Sequence, residues 1–210
     1  MIAHAHALLR ARHLCPGLAP RLEYAGAPYH TVRLDFPNKQ QQSPEYLRVN
    51  PKGRVPALVT DRGTLTETPA ILQYISQAFP QAKLAPFDDP FLLAKANEFN
   101  SYLCSTVHVA HAHRVRGQRW ADDAQAVEAM KKKVPEVIGA CFELIEREMF
   151  KGPWVLGERL GICDMYLYTL GRWLNGDGVE ISRFPKVADH AARMAADPVV
   201  VKVLAAQQAP

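Results

Sequence analysis

Along the 210 residues the spacing of apolar and polar positions changes character once, near Pro90. Before it, short stretches of period two alternate with short helical ones. After it, the helical period runs to the end. In the first part, Tyr29–Asp35 (YHTVRLD) alternates as a half-buried strand does, and Ile2–Leu9 reads as another. Between them Leu18–Ala25 predicts a short helix stopped by Gly26, with Pro16 and Pro20 restricting it because an interior proline removes a hydrogen bond. Pro37–Pro44 has no period and reads as a polar loop, followed by a helical turn over Pro44–Val49. Asn50–Gly53 is a turn, Val55–Thr60 a strand, Asp61-Arg62-Gly63 a hairpin turn and Thr64–Thr66 a second strand. A helix follows, with Thr68 suited to the N-cap, Pro69 to the first helical position, and Ala70, Ile71, Tyr74 and Ile75 on one apolar face as far as Phe79-Pro80.

Pro80–Pro90 contains three prolines and breaks both periods, which divides the chain into a first domain 1–80, a linker 81–89 and an all-helical domain 90–210. Helical patterns cover Phe91–Arg116, Asp122–Phe150, Ile162–Leu174, Phe184–Ala196 and Pro198–Ala206. The second of these carries Val127, Met130, Val134, Val137, Ile138, Cys141, Leu144 and Ile145 on one face.

Composition narrows the class. With 48% hydrophobic and 22% charged residues the chain is an ordinary globular one, and no apolar run approaches the roughly 18 to 20 residues that span a bilayer. No signal-peptide pattern opens it, so a cytoplasmic protein that engages no membrane is expected. The net charge of +4 suits anionic ligands, and the one basic run, Lys131–Lys133, lies in a helical pattern as a solvated face rather than a nucleic-acid patch. Cys15, Cys104, Cys141 and Cys163 form neither a CxxC pair nor a zinc spacing, and His4, His6 and His13 lack a third ligand, so no metal is expected.

The candidate chemistry centres on residues 50–75. A capped helix start offers free N–H groups and the positive end of the dipole to a carboxylate, and Glu67 beside it offers an anion to an ammonium. Together they match an α-amino-acid head group. The plainer alternative makes Thr68 a cap and Glu67 a charge that compensates the dipole. Pro56 inside a β-like run requires a strand start, an edge or a bulge, which leaves the main chain of Val55 able to pair with an extended peptide-like ligand. Nothing in the residues themselves selects a cis Val55-Pro56 bond.

The stretch NPKGRVPAL, a hairpin, then LTETPAILQYI resembles the glutathione-binding segment of the cytosolic glutathione transferases, particularly the bacterial beta-like ones. The resemblance implies an α/β thioredoxin-like N-terminal domain and an all-α C-terminal domain. It also implies a cis Pro56, Val55 paired with the cysteinyl main chain of glutathione, and Glu67-Thr68 in place of the usual Glu-Ser. Lys39 stands where beta-like members place a lysine for the glycyl carboxylate, or is one more loop lysine. GLAPRLEYAGAPY resembles the family's first helix with about one turn deleted. Two placements of Cys15 then compete: as the catalytic cysteine at a helix N-terminus, where a thiol ionises readily, or as an incidental residue beside the deletion.

His108 follows Glu67 by 41 residues, where beta-like members carry a histidine on the helix that faces the sulfur. It shares a helical face with His111, and the pair reads as a proton donor, a sulfur ligand, a weak metal site or satisfied core histidines. Trp154–Trp173 resembles the family's late structural motif, with Gly161 replacing the capping hydroxyl and Asp164 kept for folding; Tyr166, Tyr168 and Trp173 read as core. The implied function is transfer of glutathione to, or thiol exchange with, a small hydrophobic electrophile, by a homodimer. The alternative is a non-catalytic glutathione-binding or protein-interaction subunit on the same scaffold.

Overall fold

Asp61 and Arg62 close a two-residue hairpin between β3 (Ala57–Thr60) and β4 (Gly63–Thr66), pairing Thr60 with Gly63 and Ala57 with Thr66. The Thr60 hydroxyl fixes this turn, accepting from the Arg62 N–H at 3.2 Å and donating to the Gly63 carbonyl at 2.9 Å. Gly63, expected in the turn, therefore begins β4. The computed structural model describes residues 5–10 and 18–208, and among these the hairpin joins β1 (Ala5–Arg10) and β2 (Tyr29–Leu34) in one sheet of order β2-β1-β3-β4. β1 runs antiparallel to β3 and parallel to β2. A parallel pair needs a crossover, and α1 (Leu18–Tyr24) supplies it.

Pro20 is tolerated in α1 because its missing N–H falls in the first turn, where no intrahelical partner exists. Gly26 ends the helix at φ 64, as its C-cap reading requires, with the Ala27 N–H returning 3.0 Å to the Leu22 carbonyl. β2 departs from its alternation: Leu34 is buried but Val32 is 42% exposed, because the strand lies at an edge of the sheet.

α2 (Pro44–Val49) is capped by the Ser43 hydroxyl, which accepts from the Tyr46 N–H at 3.2 Å. α3 (Thr68–Ala78) buries Ile71, Leu72 and Ile75, while Ala70, expected on that face, is exposed.

The chain forms two compact units, Phe91–Met194 and the remainder. The remainder includes the residues from Ala195 on, so α9 (Pro198–Gln208) completes the first unit, whereas the sequence assigns 90–210 to a single helical domain. The physical reason is packing of α9 on α1, with Val200 and Val203 buried and Lys202 Nζ 2.7 Å from Glu23 Oε2.

The helical unit holds α4 (Pro90–Tyr102), α5 (His108–Arg116), α6 (Ala124–Leu144), α7 (Ile162–Gly171) and α8 (Pro185–Ala196), the first and last reaching across its boundaries. The pattern over 91–116 is one helix in sequence but two here, joined by a π-helical turn at Leu103–Val107. α7 is buried along its whole length. Asp164 serves its start: one carboxylate oxygen accepts from Gly161 N–H at 2.6 Å, and the other accepts from Val155 N–H at 2.9 Å and lies 3.0 Å from His190 Nε2. Half of the capping box thus survives the loss of the hydroxyl at Gly161. Among the described residues no helix is long and apolar enough to cross a membrane.

Because Asp164 is fully buried, Asp164→Ala strips the acceptor from two main-chain donors and a buried imidazole. It is expected to cost about 3 kcal/mol in denaturant unfolding. At α9, the Lys202 hydrogen bond, aided by that from Tyr29 and opposed by burial, holds the Glu23 carboxyl below its ordinary range. A depressed carboxyl stabilises the fold above its unfolded pKa and ceases to as pH falls through the folded one. Lys202→Met should accordingly lower Tm at pH 7 and leave it unchanged near pH 3, as thermal melts at the two pH values will show.

Candidate functional site

The first unit gathers its candidate residues by register. Since Ala57 pairs with Thr66, Val55-Pro56 and Glu67-Thr68 leave the hairpin at the same end. The Val55-Pro56 bond is cis and Pro56 is buried.

The peptide before Val55 is held firmly. The Arg54 carbonyl accepts from the Tyr46 hydroxyl and from the Asn50 side-chain amide, each at 2.6 Å. Both donors are buried, at 4% and 1% exposure, and Asn50 also receives the Lys52 N–H on its side-chain oxygen at 3.1 Å. A planar trans peptide sets its N–H opposite its carbonyl, so the Val55 N–H faces away from Tyr46 and Asn50. That is the geometry strand-like pairing with a ligand needs.

Lys39 is tied to the same turn indirectly. It is exposed, with φ 55, and precedes the 3-10 turn Gln40–Gln42, whose last side chain donates to the Gly53 carbonyl at 3.1 Å. Gly53 has φ 59, a conformation glycine adopts without strain, and a Cβ there would displace the Gln42 amide from its bond.

At α3 the cap lies one residue earlier than expected. Glu67 is the capping position, Thr68 the first helical residue and Pro69 the second, because the ladder starts with the Ile71 N–H on the Glu67 carbonyl at 3.0 Å. Glu67 makes no side-chain cap and adopts φ 69, ψ 119, a conformation that costs on the order of 1–3 kcal/mol. The Glu67 carboxylate is exposed and meets Lys52 Nζ at 2.6 Å, which also reaches Thr66 Oγ1 at 2.8 Å.

In the helical unit the histidines have separate partners. His108, the first residue after the π-helical turn, is half-buried with Nδ1 3.2 Å from the Tyr166 hydroxyl. His111 is buried, with Nδ1 2.8 Å from both oxygens of Asp177, and Arg114 Nε donates to Oδ1 of the same carboxylate at 2.7 Å. Trp173 stacks on His111 at 4.2 Å and meets the His108 ring edge-on at 5.1 Å. Each Nδ1 has its own partner and both rings pack on the indole, and among the described residues no group of three or more His, Cys, Asp or Glu side chains is placed to hold a metal ion. Neither Tyr102 nor Tyr168 supplies a phenolate, since burial raises both; a hydrogen bond with Cys141 adds to the first, and Arg172 partly opposes the second.

The glutathione S-transferase N-terminal domain model matches residues 16–77. A glutathione transferase homolog from Sulfitobacter, solved with bound glutathione, is 39% identical, with a TM-score of 0.91 over 97% of this chain and 99% of that one. The chain belongs to the glutathione transferase superfamily. A sphingomonad glutathione S-transferase solved with glutathione is 26% identical with a TM-score of 0.83, covering 98% of this chain and all of its own. Among curated relatives, glutathione S-transferase GstA of Escherichia coli O157:H7 is 29% identical over 89% of this chain and 90% of its own.

Of the transferase residues expected from sequence, Val55, Pro56, Glu67 and Thr68 converge at one end of the hairpin, with Lys39 on the loop bonded to the adjoining turn. His108 lies in the helical unit, and Cys15 lies outside the described residues, as do Arg12, His13, Pro16 and Gly17. Sequence reasoning missed Tyr46, Asn50 and Lys52 as site-builders. Lys52 carried a signal, a cation inside the very turn that precedes Val55, but Tyr46 gave none.

Removing the Asn50 side chain leaves the Arg54 carbonyl on Tyr46 alone and orphans the Lys52 N–H. Asn50→Ala should cost about 2 kcal/mol in chemical denaturation, whereas Lys52→Met, which breaks an exposed ion pair, should change stability by less than about 1 kcal/mol.

Proposed function

We propose that this protein is a glutathione transferase that binds glutathione in its first unit and joins the sulfur to a small electrophile. The reading rests on one observation: a Val55 N–H turned away from Tyr46 and Asn50 by the held Arg54 carbonyl, beside the strained Glu67 and the start of α3. An extended tripeptide fits that arrangement. Its cysteinyl main chain pairs with Val55, as a strand adds to an edge. Its γ-glutamyl carboxylate takes the Thr68 hydroxyl and the helix start, and its ammonium takes Glu67. Lys39 reaches the glycyl carboxylate. Residues 1–80, with α9 packed on them, then form the binding domain, 81–89 the linker, and the helical unit completes the enzyme. The relatives solved with glutathione support this assignment.

In the chemical step the glutathione thiol loses its proton to water, the thiolate attacks the electrophilic carbon, a C–S bond forms and the leaving group departs with its electron pair. We assign His108 as a donor to the sulfur, since hydrogen bonds that favour the anion lower its cost. Cys15 is the second proposed group. Its thiolate would exchange with a mixed disulfide of glutathione, releasing the other thiol, so that electrons balance without an added oxidant. Residence in the cytoplasm and a homodimer belong to the same proposal.

Retention on glutathione resin, with turnover of chlorodinitrobenzene or hydroxyethyl disulfide, tests the assignment; retention without either turnover would reduce the protein to a binding subunit. Thr68→Ala is expected to raise KM for glutathione about tenfold with kcat little changed, because it removes an interaction worth about 1.5 kcal/mol that ligand and transition state share. Cys15→Ala is expected to abolish disulfide exchange and to spare conjugation.

A further inference from the structure

The helical unit contains a charge cluster with no part in the proposal above. The Asp177 carboxylate, 2% exposed, is held by His111 Nδ1 and Arg114 Nε, and the His111 side chain is itself 11% exposed. Removing a carboxylate and an imidazole from water is costly unless the geometry repays it. Here the backbone ties the acid to the aromatic it serves. The Asp177 N–H donates to the carbonyl of Trp173 at 3.0 Å, so the carboxylate and the indole are carried by one turn, closed by Gly178 at φ 78. His111 stacks on that indole, 29° from parallel, and the indole also meets the His108 ring in an edge-to-face contact, 68° between the planes.

We infer that His111, anchored by Asp177, is a positioning residue that fixes Trp173 and through it the ring of His108. The imidazole of His108 turns about a broad two-fold torsion, and the Tyr166 hydroxyl constrains it at Nδ1. Trp173 supplies the second constraint. It can do so if the indole is itself immobile, and the stack on His111 makes it so. For catalysis the inference rests on His108 acting on the sulfur; for the arrangement of the ring it stands alone.

The test is a double-mutant cycle with imidazole NMR on the full-length protein. His111→Ala should lower kcat about tenfold with KM for glutathione within about twofold, a fraction of what a general acid contributes. His111→Phe, which restores a ring on Trp173, should recover most of that loss. In a His108→Ala background, His111→Ala should change kcat by less than about twofold, because two residues acting through one are not additive. The His108 ring resonances should shift in His111→Ala and return towards native in His111→Phe. Equal losses in both backgrounds, or unmoved His108 resonances in a folded His111→Ala protein, would overturn the inference. Full activity of His108→Ala would sink its catalytic role instead, leaving the NMR shifts to decide the positioning. If His111→Ala does not fold, Asp177→Asn must move the same resonances or the inference fails.

Discussion

The peptide group between Arg54 and Val55 is the constraint on which the first unit turns. Its carbonyl is held by two buried donors, and planarity carries that restraint to the N–H on the other side. Much of the surrounding sequence makes sense as support for it. α2 is a short helix with a serine cap and a proline start, and it carries Tyr46 while ending at Asn50. The turn that follows bonds back to Asn50, and Gly53 lets Gln42 approach. The result is a donor turned away from Tyr46 and Asn50 just before β3, with a proline next in the chain.

Glu67 shows the complementary strategy. Val55 is aimed by hydrogen bonds, whereas Glu67 is aimed by a backbone conformation that few residues adopt. The ladder of α3 begins on its carbonyl, the hairpin ends just before it, and the residue between must absorb the change of direction. Its carboxylate consequently stands clear of the helix and within reach of Lys52, a contact that water screens and a competing cation can replace at little cost.

How far the sequence anticipated this depended on whether the cause was local. The hairpin, the stop at Gly26 and the helix over 68–78 were legible because turn chemistry and the 3.6 period act within a few residues. The cap of α3 came out one residue early because the break is set by the strain at Glu67, which no residue preference announces. A family resemblance, and not the residues, pointed to the cis Val55-Pro56 bond. The histidine pair was legible only in part, for a different reason. Helical spacing placed His108 and His111 on one face correctly, but their partners, Tyr166, Trp173 and Asp177, come from more than 50 residues away. Asp177 in particular sits in an Asn-Gly-Asp-Gly sequence that reads as an exposed turn, and its burial follows from the tertiary arrangement of α5 and the segment after α7.

Helix α9 has a bearing on how the protein is made. The sheet, α1 and the candidate binding residues all precede Pro90, yet the cover for α1 is encoded after Ala195. A ribosome adding about 5–20 residues each second needs on the order of ten seconds to cross that interval. For that time the nascent first unit must exist with α1 packed on α3 and the side that α9 covers bare. Its order of completion is thus set by translation: a helix encoded beyond the whole of the helical unit closes the unit encoded before it.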